Sequence, residues 1–306
     1  MDGAGSDLRV VTWNVWWRFG PWRQRQRAIE TVLLRTGPDV LALQEAWAGP
    51  ADARGQEPGG GAADLGRRLA DLLGLHLAWS PNRHPRRWQR RIGADGEGVD
   101  VGLAVLSRWP LLHVEEQDLP DGDTRPEGRT VLGVVADHPS GPLPVLTTHL
   151  TSHPARSALR VEQARSVAAV AARISAAAAR LAGPEAPHFP PVVAGDLNAE
   201  PDSDEVRHLS GSRTAPAVDG LVLLDAWRFA DPADPGWTWR RENAYLVEGN
   251  PDARIDHVLV GLPSRGGLGA VRGAGLVGHQ PVDGVWPSDH AGVRVDLRET
   301  VSRRRS

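Results

Sequence analysis

Residues 190–200 read PPVVAGDLNAE, and this stretch decides the fold. Its apolar run, residues 192–194, is typical of a buried strand. The run ends at Gly195, and the side chains of Asp196 and Asn198 follow two positions apart. Because side chains two positions apart on a strand point to the same side, the spacing predicts a carboxylate and an amide that share one place at a strand end.

That pair of side chains has two interpretations. A carboxylate at a strand end can orient or deprotonate a water molecule, and an amide can donate a hydrogen bond to an oxyanion. Ligands of open α/β sheets also bind at strand ends, which favours a functional site. A Gly-Asp dipeptide is also common in ordinary turns, so the stretch by itself leaves both interpretations open.

The composition of the 306-residue chain is that of a soluble globular protein, with 41% hydrophobic and 24% charged residues. This length predicts one or two domains. The formal net charge of −3 gives no overall attraction to phosphate backbones or anionic membranes, so binding to a polyanion requires a local basic patch. Cysteine is absent, which excludes disulfides, thiolate nucleophiles and cysteine-ligated metals.

The sequence shows no signal for export or membrane insertion. Residues 1–7 lack the basic and then apolar pattern of a signal peptide. The most apolar stretch, residues 167–181, contains Arg173 and Arg180 and is too short and too polar to span a bilayer. We therefore expect a cytoplasmic protein, favour a monomer, and expect residues 1–7 and 298–306 to be flexible tails.

The apolar periodicity predicts a mixed order of strands and helices. The predicted helices cover residues 21–35, 62–73 and 155–181, with a further short helix capped by Asp202, while residues 81–98 are predicted to form a loop. Residues 211–249 are hard to assign. The predicted strands cover residues 8–15, 40–43, 75–79, 101–106, 111–114, 130–136, 145–149, 192–194, 236–239, 254–260, 270–277 and 292–297. This order predicts two packed sheets flanked by helices.

A narrow selection of polar side chains follows or begins these predicted strands. Oxygen ligands suit Mg²⁺, Mn²⁺ or Ca²⁺, whereas zinc prefers histidine and thiolate. A histidine beside a carboxylate suits proton transfer or the stabilisation of developing charge. The set consists of Asn14, Gln44, Glu45, His149, Asp196, Asn198, Asp256, His257, Ser288, Asp289 and His290.

Seven short motifs in this selection occur in the order of the endonuclease/exonuclease/phosphatase superfamily, which the chain resembles over roughly residues 8–297. That family includes pancreatic deoxyribonuclease, abasic-site endonucleases, sphingomyelinases, inositol polyphosphate 5-phosphatases and deadenylases. The motifs are Trp13-Asn14, Leu43-Gln44-Glu45, Gly102–Arg108, Thr148-His149-Leu150, Gly195–Asn198, Arg254-Ile255-Asp256 and Ser288-Asp289-His290.

The resemblance implies an α/β (α+β) fold, a four-layered α/β/β/α sandwich of two packed mixed β-sheets flanked by helices. It implies a Mg²⁺ site at Glu45, with help from Asn14 and Asp289, and Mn²⁺ as an alternative ion. Asn14 and Asp289 lie at opposite ends of the chain and must meet at one metal ion. We therefore expect a single domain over residues 8–297.

The resemblance also implies a metal-dependent hydrolase of phosphoric ester bonds, in which a positioned water attacks phosphorus in line. Asp196 would orient and polarise this water, while Asn198 and His149 would donate hydrogen bonds to the phosphoryl oxygens. His290, paired with Asp256, would be either the general base or a stabiliser of charge, and the family leaves that choice open.

Departures from the family pattern bear on the substrate. Residues 148–150, THL, resemble the deoxyribonuclease, sphingomyelinase and phosphatase branches, because abasic-site endonucleases carry a tyrosine motif there. His257 stands where many members have an aromatic residue, and we expect it to have a packing role.

Arginines provide the remaining candidates for substrate contact. Residues 83–91 contain five arginines and a tryptophan, and arginine pairs with phosphates while tryptophan stacks on bases. The alternative is a solvated charged loop. Arg23, Arg25 and Arg27 are expected to form an exposed helix face. The proposed substrate-binding residues are Arg86, Arg87, Arg91 and Arg254.

These observations together predict a Mg²⁺-dependent phosphoesterase, either a nuclease acting on DNA or RNA or a small phosphodiesterase. One alternative is a lipid or inositol-phosphate phosphodiesterase or phosphatase similar to sphingomyelinase, although no exposed apolar hairpin is evident. Another is a non-catalytic binding protein of the same fold, which is disfavoured because every expected catalytic position is filled.

Overall fold

The apolar runs of the sequence form two six-stranded β-sheets in the computed structural model, which describes residues 7–49, 63–122, 125–264 and 266–300. The first sheet contains, in spatial order, β11 (Val271–Val277), β12 (Gly292–Leu297), β1 (Leu8–Asn14), β2 (Val40–Ala48), β4 (Asp100–Ser107) and β3 (His76–Pro81). Strands β1 and β2 are parallel and their other neighbours are antiparallel, so the sheet is mixed.

The second sheet is also mixed and has its own parallel pair, β7 with β8. The other neighbouring strands in this sheet run antiparallel. In spatial order it contains β5 (Leu111–Asp118), β6 (Thr130–Ala136), β7 (Leu143–His149), β8 (Val192–Asp196), β10 (Asp256–Gly261) and β9 (Leu223–Asp225).

Helices cover the outer face of each sheet. The first sheet is covered by α1 (Trp22–Thr36), α2 (Leu65–Leu73) and α3 (Pro85–Ile92). The second is covered by α4 (Ser157–Ala182) and the short α5 (Asp204–Ser210). The four-layered sandwich that the sequence predicts is therefore confirmed.

Three apolar cores hold these four layers together. The central core lies between the sheets and is built mainly from strand residues such as Val10, Leu132 and Val192. Each outer core joins one sheet to its helices, with Ile29 and Ile174 among the fully buried helix residues. Truncating a side chain of this kind to alanine typically costs about 2–5 kcal/mol, so apolar packing fixes how the sheets face each other.

The predicted strands match the structure except at residues 236–239, where the only pairings among the described residues are isolated bridges of Trp239 to Ala253 and His290. The prediction of a loop at residues 81–98 is wrong, because α3 and the 3₁₀ turn Gly93–Gly96 occupy most of it.

The short helix predicted after residue 202 is present as α5, but its cap is Ser203, whose Oγ accepts from the Val206 amide at 3.4 Å. Most of both predicted tails lies outside the described residues. No helix in the described ranges is long and apolar enough to cross a lipid bilayer.

Candidate active site

One edge of the sandwich gathers the polar strand ends of both sheets. Asn14 ends β1, His149 ends β7 and Asp196 ends β8, while Asp256 begins β10 directly opposite Asp196. Asn14 Nδ2 donates to Asp196 Oδ2 at 3.0 Å, which links the first sheet to the second. Strands of opposite direction thus place their polar residues at a single edge.

Glu45 reaches this edge through an irregularity in β2. The pairing of β2 with β4 shifts register between Leu43 and Ala46, and Glu45 has a left-handed φ of 54°. A bulge of this kind redirects a side chain, and non-glycine residues in this conformation concentrate at functional sites. The preceding residue, Gln44, donates a hydrogen bond from Nε2 to Thr147 Oγ1 on β7 at 2.8 Å. The bulge therefore directs a carboxylate toward the gap between the sheets.

Gly195 is required for the position of Asp196. Its φ is 153°, and a Cβ at this position would lie 2.1 Å from the carbonyl oxygen of Thr148 on the neighbouring strand. Past the strand, Asn198 has a left-handed φ of 47°, and its backbone N–H donates to Asp196 Oδ1 at 2.9 Å. The Asn198 amide donates to the Leu150 carbonyl at 3.1 Å. The opening stretch therefore forms a turn that orients its own carboxylate.

His290 and Asp256 form a hydrogen-bonded pair in the interior. His290 Nδ1 lies 2.8 Å from Asp256 Oδ2, and His290 Nε2 lies 3.8 Å from Asp196 Oδ2. Burial alone would lower the pKa of His290, but Asp256, Asp196 and Asp289 outweigh it and hold that pKa well above its usual value. The ring therefore favours the charged imidazolium.

His149 has the opposite protonation preference. Its Nε2 lies 3.3 Å from Asp196 Oδ2, and its Nδ1 lies 3.9 Å from Glu45 Oε1. Burial, together with the positive charges of Arg129 and His290, holds the pKa of His149 well below its usual value. A neutral imidazole at this place can still donate one hydrogen bond.

The buried carboxylates of the site repel one another. Burial raises the pKa of Asp196 to about 6 and that of Asp289 to about 7, with Asp256 adding to the first shift and Glu45 adding to the second. Burial also raises the pKa of Glu45, and its Oε2 is buried without a hydrogen-bond partner in the described part of the chain. Such a cluster is suited to a divalent cation, which would favour the ionised carboxylates.

Two groups of side chains can hold that cation. Asp196, Asp256 and His290 place one ligand atom each within 4.8 Å of one another. Asn14, Glu45 and Asp289 provide oxygen atoms only, and Ser288 connects two of them: its Oγ lies 2.7 Å from the Asn14 carbonyl oxygen and 3.3 Å from Asp289 Oδ1. Glu45 Oε2, the buried oxygen that has no hydrogen-bond partner among the described residues, belongs to this second group.

Arg25 holds the backbone around the site in place. The expectation that Arg25 lies on an exposed helix face is wrong. The side chain is fully buried, and burial lowers its pKa to about 10. Its guanidinium donates to five backbone carbonyls at 2.6–3.0 Å. Those carbonyls belong to Val15, Trp16, Trp17, Phe19 and Pro287. Arg25 thereby holds the loop after Asn14 against the segment before Asp289.

Arg129 is a second cation that the sequence analysis missed. It is buried, and its guanidinium contacts Glu127 Oε2 at 2.7 and 3.0 Å. It lines a small pocket of about 20 Å³ together with Glu45, Trp88 and His149. Its position directly before β6 was the available signal, because the other site residues also flank strands.

The three predicted substrate-binding arginines of residues 83–91 lie on α3, beside that pocket. Arg86 is exposed, and Arg87 donates to the Pro126 carbonyl at 2.9 Å. The Arg91 guanidinium lies 4.4 Å from the ring centroid of Phe19. Trp88, on the same helix, is buried against the first sheet rather than free to stack.

Arg254, the fourth predicted substrate-binding residue, lies in the interior and is paired with a carboxylate. It is 8% exposed, and its two terminal nitrogens contact Asp225 at 2.6 and 3.1 Å. Burial favours a higher pKa for Asp225, but the Arg254 hydrogen bonds outweigh burial and lower it. His257 is also buried, with Nε2 at 2.9 Å from the Ala199 carbonyl, in line with its expected packing role. Arg254 therefore positions Asp225, and its contact with substrate stays a prediction.

A model of the Endonuclease/Exonuclease/phosphatase family matches residues 11–290, so the chain belongs to this family, whose members hydrolyse phosphoester bonds. The resemblance inferred from the seven motifs is confirmed. No curated protein sequence matches the chain significantly.

Solved structures of the same fold cover nearly the whole chain. The catalytic domain of human Nocturnin, with a bound sulfate anion, is 19% identical with a TM-score of 0.68, covering 96% of this chain and 95% of its own. D. rerio TDP2 in complex with a single-strand DNA product is 20% identical with a TM-score of 0.68, covering 96% and 100%. An endonuclease/exonuclease/phosphatase from Beutenbergia cavernae is 26% identical with a TM-score of 0.64, covering 96% and 72%.

The role of Arg25 can be tested by Arg25→Met. Removing five hydrogen bonds to buried carbonyls is expected to lower the free energy of unfolding by about 3 kcal/mol or more, measured by urea denaturation. Arg27→Met, an exposed position on the same helix, serves as the control and is expected to change stability by less than about 0.5 kcal/mol. Equal effects of the two substitutions would contradict the role of Arg25.

Proposed function

We propose that this protein is a divalent-cation-dependent phosphodiesterase that acts as a nuclease. The observation that carries the proposal is the arrangement around Asp196. This carboxylate lies within 3.8 Å of both His149 and His290, and Asn14 connects it to Glu45. In-line hydrolysis needs an oriented water, donors to the phosphoryl oxygens and a cation, and these residues offer each of them.

We assign the cation to Asn14, Glu45 and Asp289. In the other candidate group, His290 and Asp256 already hydrogen bond to each other at 2.8 Å, and the strongly basic His290 competes poorly as a metal ligand. The unpartnered Oε2 of Glu45 and the oxygen-only donor set favour Mg²⁺, with Mn²⁺ as a replacement. When bound, this ion supplies positive charge to the phosphoryl group.

Asp196 orients and polarises the attacking water in this proposal. One of its oxygens accepts from the Asn198 N–H and the other from Asn14 Nδ2, so the carboxylate is held in one orientation. A fixed carboxylate lowers the entropic cost of positioning a nucleophile. His290, kept charged by Asp256, either stabilises negative charge that develops on the phosphoryl group or exchanges a proton with the neighbouring water.

Two neutral donors complete the proposed site. His149 is held neutral and presents one N–H, and the Asn198 amide keeps a second hydrogen after donating to Leu150. His149 is the last residue of β7, and Asn198 follows β8 in a left-handed conformation. Donors fixed in a buried site stabilise charge on the phosphoryl oxygens better than water does.

Nucleic acid is the substrate class that we favour. Trp88 of α3 lines the pocket that contains Glu45 and His149, and Arg86, Arg87 and Arg91 lie on the same helix. These arginines supply the local basic patch that a chain of net charge −3 needs. D. rerio TDP2, which has this fold, is known in complex with a single-strand DNA product.

The metal requirement is tested with bis(p-nitrophenyl) phosphate. EDTA is expected to abolish hydrolysis, and added Mg²⁺ or Mn²⁺ is expected to restore it. Glu45→Gln is expected to raise the Mg²⁺ concentration for half-maximal activity by at least about tenfold, because an oxygen ligand loses its charge. Glu116→Gln, on an exposed carboxylate, is the control. Full activity of the wild-type protein in EDTA would refute the proposed cation.

The roles of Asp196 and His290 are tested by single substitutions. Asp196→Asn and His290→Ala are each expected to lower kcat by about 10²–10⁴-fold, the usual contribution of a positioned proton-transfer group. Asp204→Asn and His113→Ala remove an exposed carboxylate and an exposed imidazole as matched controls. A kcat near the wild-type value in either site variant, with an unchanged unfolding midpoint, would remove that residue from the mechanism.

The contact with nucleic acid is tested by the salt dependence of binding. Replacing Arg86, Arg87 and Arg91 by alanine in the Asp196→Asn background is expected to reduce the slope of log Kd for a single-stranded oligonucleotide against log salt by roughly 0.7 per lost phosphate contact. The matched control replaces the three exposed arginines of α4, Arg165, Arg173 and Arg180. An equal slope in both triple variants would assign substrate binding to another surface.

A further inference from the structure

The segment of residues 236–243, which we call the Trp segment, runs along the candidate active site without forming a regular strand. The ring of Trp239 packs edge-on against His290, with centroids 4.9 Å apart, and its backbone bridges to His290. Four residues on, Asn243 Nδ2 donates to the Ser288 carbonyl at 2.8 Å. The contacts of Trp239 and Asn243 therefore fix the Trp segment to the motif that contains Asp289 and His290.

The start of the Trp segment is held just as firmly. Gly236 has a left-handed φ of 74°, and a Cβ at this position would lie 2.3 Å from the ring of Trp227. Its N–H donates to Asp234 Oδ1 at 2.8 Å, and Trp227 Nε1 donates to the Asp234 carbonyl at 3.1 Å. The turn that precedes Trp237 is therefore preformed.

A pocket of about 390 Å³ lies between this segment and the residues at the end of β11. Its volume falls in the range of small-molecule sites. Trp237 is 41% exposed beside it, although its neighbour two positions on, Trp239, packs against His290. The pocket is lined by Asp234, Pro235, Trp237, Arg240, Leu276, His279 and Gln280.

The charges of the lining argue against a second phosphate. The Arg240 guanidinium pairs with Glu242 at 2.5 Å, and Asp234 contributes a negative charge. Burial and the neighbouring Arg240 lower the pKa of His279, so this imidazole is neutral. A balanced lining with one exposed indole and several hydrogen-bonding groups suits a planar, uncharged heterocycle.

We propose that this pocket binds the base of the nucleotide adjoining the scissile phosphate. Trp237 stacks on the base, and His279, Gln280 and Arg240 offer hydrogen bonds to its edge. The inference rests on the proposed function, because the pocket is linked to the site through Trp239, which packs against His290 two residues after Trp237. Stacking on an indole tolerates any base, so the pocket adds affinity for nucleotides more than it selects a sequence.

The test compares two substrates that differ by a nucleoside. The p-nitrophenyl ester of thymidine 5′-monophosphate carries a base, whereas bis(p-nitrophenyl) phosphate carries none. Trp237→Ala is expected to lower the ratio of kcat/KM for the first substrate to that for the second by about tenfold, as for the loss of one base–aromatic stack. Trp237→Phe retains a ring and is expected to recover most of that ratio.

The control for Trp237→Ala is Leu112→Ala, a substitution of equal exposure on β5 of the other sheet. It is expected to leave the ratio at the wild-type value. If Trp237→Ala keeps the wild-type ratio of kcat/KM values, the proposal is overturned. A base bound in this pocket would contact the Trp237 indole, so removing the indole would have to change the ratio.

A binding measurement separates this inference from the proposed function. If the wild-type protein hydrolyses neither substrate, the proposed function fails, and titration calorimetry with thymidine 5′-monophosphate decides the pocket independently. Binding that Trp237→Ala weakens by about tenfold would support the base site even then. Binding that is absent, or equal in both proteins, would overturn it.

Discussion

The hydrogen bond from Asn14 to Asp196 is the contact on which the site depends, because it joins carboxylates of two different sheets through one amide. Asn14 also lies within hydrogen-bond distance of Glu45, so a single side chain separates two buried negative charges. Buried carboxylates without such partners would take up protons. The close approach at Gly195 within the second sheet places Asp196 at the strand end, and the bulge at Glu45 redirects its carboxylate, so that this one amide reaches both.

Much of the fold follows from apolar periodicity. The bounds predicted for strand β6 match those observed, since residues 131–136 carry no polar side chain and the strand is buried on both faces. At the opening stretch the structure contains the turn, because β8 ends at Asp196 and Asn198 turns into a left-handed conformation, while the functional interpretation stays a prediction. The strand spacing correctly predicts that Asn198 lies beside Asp196. It does not predict the left-handed backbone conformation of Asn198, because apolar patterns carry little information about the conformation of a single residue.

Other parts of the molecule required the structure. Arg25 lies in a helix pattern rich in arginine, and nothing in that pattern distinguishes a buried guanidinium from its exposed neighbours. The apolar pattern predicts a loop where the arginine-rich helix α3 lies. The reason is that one buried residue, Trp88, supplies nearly all of the apolar signal of this helix. The Trp segment has no apolar periodicity from which it could be predicted. It is held by contacts with residues far along the chain, Asn243 with Ser288 and Trp239 with His290.

The Arg25 hydrogen bonds also have a consequence for biosynthesis. They join the loop after the first strand to Pro287, and β1 pairs with β12, the last strand in the sheets. A growing chain folds from its N-terminus, but it has no Asp289 or His290 to complete this edge until almost the whole domain has left the ribosome. A partial translation product that ends before residue 289 therefore lacks the side chains that close this edge of the sandwich, however well its first strands have folded.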